Sequence, residues 1–202
     1  LNIEVVEPQW DPENAKDLVP TQSVAKNPML VNATSYEAYM WADVVCPWAS
    51  VKCVGEDGAA EATAQARGLF ELTGLSNKWV SQHKAGDEGV TKDPTTGLYG
   101  IVDDTAGTIT FRFLLNDAVA GKTESSPEYN ENAVAGAAVV KGTATDPIFT
   151  AAKLVNLVEG QNQVGIKNIV VNGYGVQAEG FATAAEAMAA AMAQNADAGS
   201  NA

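Results

Sequence analysis

Apolar and polar residues alternate along most of this chain, and this period of two is the feature that most restricts its fold. Successive side chains of a strand point to opposite faces, so an alternating run predicts a strand with one buried face. The clearest runs cover residues 37–46, 108–115 and 166–177. Within the third run, Gly173 and Gly175 predict either relief of crowding or a bulge.

Turn-forming Gly, Pro, Asn and Asp residues separate about nine or ten such runs, at spacings of roughly 10–20 residues. Residues 59–67, 83–96 and 118–132 lack the alternation and are predicted as loops, the first alternatively as a short surface helix. No helical pattern falls between successive strands, which argues against a βαβ layout. We therefore predict an all-β fold, an antiparallel jelly-roll-like β-sandwich formed by residues 1–181.

The C-terminal stretch has the pattern of a helix instead. Thr183 and Glu186 have the spacing of a capping box, and an Ala-rich run follows them. Alanine has the highest intrinsic helix propensity. We predict a short helix over residues 182–194, packed on or beside the sandwich, and a flexible tail over residues 195–202.

The net charge of −13, from 12 basic and 25 acidic residues, restricts the classes of partner. Nucleic-acid phosphates and anionic membranes both repel an acidic surface, so neither is an expected partner. No apolar run approaches the ~20 residues that a membrane-spanning helix needs. Hydrophobic residues make up 46% of the 202-residue chain, which is enough for one packed core.

The two cysteines bear on the compartment of the protein. The chain shows no leader peptide, so it is either cytosolic or the product of leader removal. In an oxidising compartment Cys46 and Cys53 would pair and close a short loop, which stabilises by roughly 2–3 kcal/mol in the chain-entropy model. The alternative is two buried free thiols in a cytosolic protein.

No set of residues forms a recognisable catalytic motif. His83 is the only histidine, whereas a zinc peptidase helix needs two histidines one turn apart around a glutamate. A Ser-His-Asp triad would need a Gly-x-Ser-x-Gly turn, which the sequence lacks. The acidic pairs at residues 87–88 and 103–104 offer oxygen ligands, which leaves calcium as a weak alternative to no cofactor at all.

Four tryptophans are the remaining binding candidates. Aromatic rings can line a carbohydrate site, although packing in the core or on a sheet is the more frequent role. These residues are Trp10, Trp41, Trp48 and Trp79.

Two stretches, one at each end of the chain, contain longer motifs. The first includes Ile3-Glu4-Val5, Glu7-Pro8-Gln9-Trp10-Asp11-Pro12, Leu18-Val19-Pro20 and Ala25-Lys26-Asn27-Pro28. The second includes Val155-Asn156-Leu157-Val158-Glu159-Gly160-Gln161 and Ile169-Val170-Val171-Asn172-Gly173-Tyr174-Gly175-Val176-Gln177. In this order they resemble the TasA/camelysin-type exported proteins of Gram-positive bacteria, which the SipW type of signal peptidase releases.

The resemblance implies a secreted, extracellular β-sandwich that serves as a subunit of surface or biofilm-matrix fibres. In such fibres an N-terminal segment of one subunit completes the sheet of the next, a form of β-augmentation. The strand with Leu1, Ile3 and Val5 is therefore the predicted assembly edge. The expected partners are further copies of the chain, the cell wall and other matrix proteins.

The leading hypothesis is thus a secreted structural protein that is not an enzyme. A surface adhesin or binding module is one alternative, acting through Trp48, Trp79 or the polar loops, and a phage virion component is another. The resemblance also implies a camelysin-like metalloendopeptidase, for which the sequence provides one histidine instead of a zinc-binding pair.

Overall fold

The computed structural model describes residues 1–161 and 168–199, which form fifteen strands and one α-helix. The first eight strands are β1 (Ile3–Val6), β2 (Ser23–Ala25), β3 (Met29–Asn32), β4 (Ala38–Val51), β5 (Gln65–Gly68), β6 (Phe70–Thr73), β7 (Trp79–Ser81) and β8 (Val90–Lys92). The others are β9 (Tyr99–Asp103), β10 (Thr108–Leu115), β11 (Glu128–Asn130), β12 (Val139–Lys141), β13 (Thr143–Ala144), β14 (Ala151–Leu154) and β15 (Val170–Gln177). The helix α1 spans Ala184–Gly199.

The described strands pair antiparallel and form a sandwich. The largest sheet has the order β15-β4-β10-β9-β8, with β5 also paired to β4 and β7 to β10. Residues of two three-stranded sheets, β2-β14-β6 and β1-β3-β13, join its inner face in one core. The predicted fold class is confirmed: an all-β antiparallel sandwich with a C-terminal helix.

The core is built from alternate positions of the strands, as the period of two predicts. The inward side chains of β10 are buried, and those of β4 meet them from the neighbouring strand. The opposing sheet contributes apolar residues from β6 and β14. The largest fully buried side chains are Phe111, Phe149, Leu30, Met40, Leu69 and Ile109.

The helix covers part of the outer face of the large sheet. Trp41 and Leu114 are buried there against α1. The predicted cap at Thr183 is present, since the Glu186 N–H donates to Thr183 Oγ1 at 3.2 Å, while the Glu186 carboxylate accepts from the N–H of Ala182, one residue before the cap. Among the described residues, no helix combines the length and the hydrophobicity that crossing a bilayer requires.

The boundaries differ from the prediction in several places. The helix continues to Gly199 because its alanines extend beyond the predicted end at residue 194, and residues 200–202 of the predicted tail lie outside the described residues. Residues 166–167 of the third alternating run also lie outside them. The three predicted loops contain or overlap β5, β8 and β11, where pairing with a neighbouring strand overrides a weak local pattern.

Candidate functional site

Two sheets end side by side in strands that lack a partner on their outer edge within the described chain. β15 is the terminal strand of the large sheet, and β1 is a terminal strand of β1-β3-β13. Ile3 lies against Gly175 and Val5 against Gly173, so the two terminal strands pack face to face. We call these two edges, residues 3–5 of β1 and 170–177 of β15, the open seam.

Hydrogen bonding to β4 determines which backbone groups of β15 stay open. The Ala178 N–H donates to the Glu37 carbonyl at 2.9 Å, in register with the β15–β4 ladder. Hydrogen-bonded and non-hydrogen-bonded pairs alternate along an antiparallel ladder, so every second residue of β15 directs its N–H and C=O away from β4. These residues are Val171, Gly173, Gly175 and Gln177.

Fewer backbone groups are open along β1. The Ala33 N–H donates to the Asn2 carbonyl at 3.1 Å, so the N–H and C=O groups of Ile3 and Val5 point away from β3. At the next outward position, the Glu7 N–H donates to a carbonyl of the loop between β11 and β12 at 2.8 Å. That hydrogen bond closes the far end of this edge.

Glycine at two inward positions of β15 allows β1 to approach closely. A Cβ on Gly173 would lie 2.5 Å from Leu30 Cδ2, and one on Gly175 would lie 2.8 Å from Ile3 Cγ1. Both separations are below any real carbon contact, so the glycines relieve crowding, which was one of the two expected roles. The eight residues of β15 also include no charged side chain and no proline, the usual devices that protect an edge strand.

A buried ion pair lies at one end of the open seam. Lys26 Nζ donates to Glu7 Oε2 at 2.8 Å and lies 4.2 Å from the centre of the Trp10 ring. Burial lowers the pKa of Lys26, and the Glu7 carboxylate opposes that shift. A cavity of about 290 Å³ beside the pair is lined by β1 and by the start of β15. The sequence does not predict this pair, because 19 residues separate its members and no local pattern links them.

The two cysteines are free thiols in the structure instead of the predicted disulfide. β4 stays extended from Cys46 to Val51. The usual rise per residue therefore places the Cα atom of Cys46 about 16 Å from the Cα atom of Val51. A disulfide needs Cα atoms within about 7 Å, and only two further residues lead to Cys53. Burial raises the pKa of both thiols.

A polar cleft of about 540 Å³ opens beside Cys53. Arg67 pairs there with Glu61, whose other carboxylate oxygen accepts a hydrogen bond from the Cys53 N–H at 2.9 Å. The Arg67 Nε is buried and has no hydrogen-bond partner among the described residues. Thr21, also in the cleft wall, has a left-handed φ of 70°. The cleft thus combines a guanidinium with an unused donor and a strained backbone position.

The four tryptophans pack against other residues. Trp79 is only 5% exposed, and its Nε1 donates to the Asp146 carbonyl at 3.0 Å. Trp41 stacks on Tyr174 with ring centres 5.7 Å apart. Trp10 and Trp48 are partly buried against the core.

The predicted acidic pairs lie in or directly beside turns. Asp87 and Asp103 each accept a hydrogen bond from a backbone N–H of their own turn, at 3.0 and 2.9 Å. Among the side chains that the structure describes, no three of His, Cys, Asp or Glu are grouped to hold a metal ion. Burial, followed by the charge of Arg112, lowers the pKa of His83.

Two features are therefore candidates for function, the open seam and the cleft beside Cys53. The open seam presents backbone donors and acceptors to another strand, and the cleft is lined by a guanidinium that pairs with Glu61 and keeps one donor without a partner among the described residues. Comparisons with family models, with curated proteins and with solved structures found no match to this chain.

Proposed function

We propose that this protein is a secreted structural subunit of the TasA/camelysin type, which assembles into surface or matrix fibres through sheet edges. The observation that supports the proposal most strongly is the open seam, where two sheets end side by side in strands whose outer edges have no partner strand among the described residues. An unpaired edge is a template for another strand, and β-augmentation joins chains through backbone hydrogen bonds.

The N-terminal edge is one contact in this proposal. Leu1 is 61% exposed, and Ile3 and Val5 have backbone groups that point away from β3. A strand from another copy would pair with those groups and extend the sheet β1-β3-β13. The side chains of Ile3 and Val5 already pack against β15, so the edge is held in a fixed position before assembly.

The charge of the chain is compatible with controlled assembly. A net charge of −13 makes the subunits repel one another in dilute solution. Salt screens that repulsion, so assembly through uncharged edges is expected to increase with ionic strength.

Electron microscopy of the purified chain, and of cells that export it, tests the proposal. We expect fibres in high-salt buffer and on the cell surface, and we expect Val5→Pro to shorten or abolish them because it removes an N–H that β3 does not use. Val139→Ser, at an exposed valine of β12, is the matched control and is expected to leave fibres intact. Persistent monomers at high concentration, without association with the cell surface, would contradict the proposal.

The cleft beside Cys53 supports a second candidate, a surface module that binds an anionic group. The buried Arg67 Nε without a partner is the observation in its favour. A glycan array that includes sulfated and sialylated sugars tests it. Binding that Arg67→Gln removes and Lys78→Gln, at an exposed lysine, preserves would support this function, and an array without hits would reject it.

A further inference from the structure

We propose that β15 pairs antiparallel with β15 of a second copy, across a two-fold axis at Tyr174, so that two large sheets become one. This inference rests on the proposed function in one respect, that copies meet through sheet edges. It names the edge and the partner strand of that contact.

The open edge of β15 is longer than the other edges that could pair with a second copy. β15 directs the N–H and C=O groups of four residues outward, whereas β1 does so at two, Ile3 and Val5. The opposite end of the large sheet is β8, a strand of three residues. Among the described strands, β15 therefore offers the longest open edge of the large sheet.

One symmetric register uses every outward backbone N–H and C=O group of β15. An axis at Tyr174 places Val171 opposite Gln177 of the second copy and Gly173 opposite its Gly175. All four outward residues then form hydrogen-bonded pairs in the antiparallel pattern. An axis at Gly173 would pair only three of them within the strand, so the Tyr174 register is favoured.

The side chains on the outer face of β15 also fit a contact across this axis. Tyr174 is hydrogen-bonded on its β4 side, so across the axis it meets its own copy in a non-hydrogen-bonded pair, where side chains approach most closely. Tyr174 is 39% exposed and already stacks on Trp41. The contact would therefore join two Trp41–Tyr174 stacks into one aromatic row.

The distribution of charge favours self-pairing of β15 over self-pairing of β1. Each copy has a net charge of −13, and β15 contains no charged residue, so its pairing brings no like charges into direct opposition. Symmetric pairing of β1 in the register that uses Ile3 and Val5 would place Glu4 opposite Glu4 of the second copy. Like charges in that position destabilise a strand pair. Self-pairing is thus favoured at β15 and disfavoured at β1.

The contact is isologous, so alone it produces a closed dimer. The edge of β1 remains available in that dimer for a second, different contact. Fibres of the proposed function would then be built from dimers.

Cysteine cross-linking of the purified chain tests the register. We expect Tyr174→Cys to give a covalent dimer under mild oxidation, because the two introduced thiols face each other across the axis. Asn172→Cys is the matched control on the same outer face, and it would face Val176 of the second copy and form no covalent dimer. The unmodified chain controls for Cys46 and Cys53, which are buried. Equal cross-linking of both variants, or none of Tyr174→Cys, would overturn the proposal.

Sedimentation of a second pair of variants gives an independent measurement. Tyr174→Lys places like charges opposite each other and is expected to abolish the dimer while the monomer stays folded, with a small loss of thermal stability from the Trp41–Tyr174 stack. Val80→Lys changes a valine of similar exposure, 41%, on β7 and is expected to leave the dimer intact. A Tyr174→Lys variant that still dimerises, or a wild-type chain that stays monomeric in high salt, would refute the β15 contact.

The same variants distinguish failure of this inference from failure of the proposed function. Fibres that form unchanged in Tyr174→Lys would reject the β15 contact and retain the fibre subunit. A wild-type dimer that cross-links through Tyr174→Cys but never forms fibres would retain the β15 contact and reject the fibre subunit.

Discussion

β10 and β15 flank β4 on its two sides, and the difference between them shows how one sheet acquires both a core and an interface. Both strands have eight residues and pair antiparallel with β4. β10 is also paired on its other edge, with β9 and β7, and its inward side chains are large and apolar. β15 has no such second partner in the part of the chain that the structure describes, and two of its inward positions are glycine.

Alternation predicts a strand, whereas the volume of its inward side chains predicts its place in the sandwich. Phenylalanines on β10 fill the space between sheets and keep the layers apart. Glycines on β15 let β1 lie directly on the strand, and that close approach ends both sheets at the open seam. The same period of two thus gives a central strand on one side of β4 and an edge strand on the other.

Truncation at the centre of β10 is the largest expected effect and tests this comparison most directly. Phe111 is fully buried, so Phe111→Ala is expected to lower the free energy of unfolding by about 3–5 kcal/mol, measured by urea denaturation. Val171→Ala, at a partly buried inward position of β15, is expected to lower it by about 1 kcal/mol. Equal losses at the two sites would show that the strands do not differ in their contribution to the core.

Adding volume to β15 is expected to have the next largest effect. Gly173→Val would force Leu30 and Val5 apart and lower the free energy of unfolding by about 1–3 kcal/mol, measured in the same denaturation experiment. Asn172→Val, one residue earlier on the exposed face, is the control and is expected to be nearly neutral. If Gly173→Val were as stable as the wild type, the close approach of β1 would not explain the glycine.

Asp43 on β4 allows the two flanking strands to be compared at one position. It pairs with Arg112 of β10 through two hydrogen bonds of 2.7 and 2.6 Å, and its register partner on β15 is the neutral Asn172. Arg112→Met is expected to lower the free energy of unfolding by about 1–3 kcal/mol because the largely buried Asp43 carboxylate loses its partner. Asn172→Ala is expected to change it by less than about 0.5 kcal/mol.

A double-mutant cycle at Asp43 and Arg112 measures that pair separately from packing. A coupling free energy near zero would place the effect of Arg112→Met in its other lost contacts, including the hydrogen bond from its Nη1 to Met192 Sδ of α1 at 3.5 Å.

The smallest expected effect is the pH dependence that arises from His83, which follows β7 beside β10. Because burial and the charge of Arg112 lower its pKa below 6.5, the folded chain binds fewer protons than the unfolded chain between that lowered pKa and 6.5. The His83 contribution to stability is therefore present above pH 6.5 and decreases as the pH falls through this window. The imidazole signal of the only histidine, followed by NMR, reports the pKa directly.

Arg112→Met provides the control for that titration. Removing the guanidinium is expected to raise the pKa of His83 toward 6.5 while leaving part of the shift, since burial is its larger cause. A wild-type pKa at or above 6.5 would contradict the described environment of His83.

The alternation of apolar and polar residues was sufficient to predict the all-β sandwich and the inward face of β10. The spacing of Thr183 and Glu186 was sufficient to predict the cap of α1. Those features depend on contacts between near neighbours in sequence, namely side-chain alternation and the spacing of Thr183 and Glu186. The short strands β5, β8 and β11 were missed because their own alternation is weak and each forms only by pairing with the strand next to it in chain order.

The candidate site was predictable in part. Ile3 and Val5 were expected at an edge and do lie on a terminal strand, but the longer open edge of β15 was not foreseen. A disulfide between Cys46 and Cys53 was expected only for an oxidising compartment, with free thiols as the alternative, and the continuation of β4 to Val51 separates the two thiols.

Local order along the chain therefore decided the type of each long element and the side that it buries. Only tertiary structure decided which strand ends a sheet, because an edge is defined by the absence of a neighbour and that neighbour is chosen over distances of many residues. The open seam belongs to this second class, since it exists because Ile3 and Val5 meet Gly175 and Gly173 from the other end of the chain.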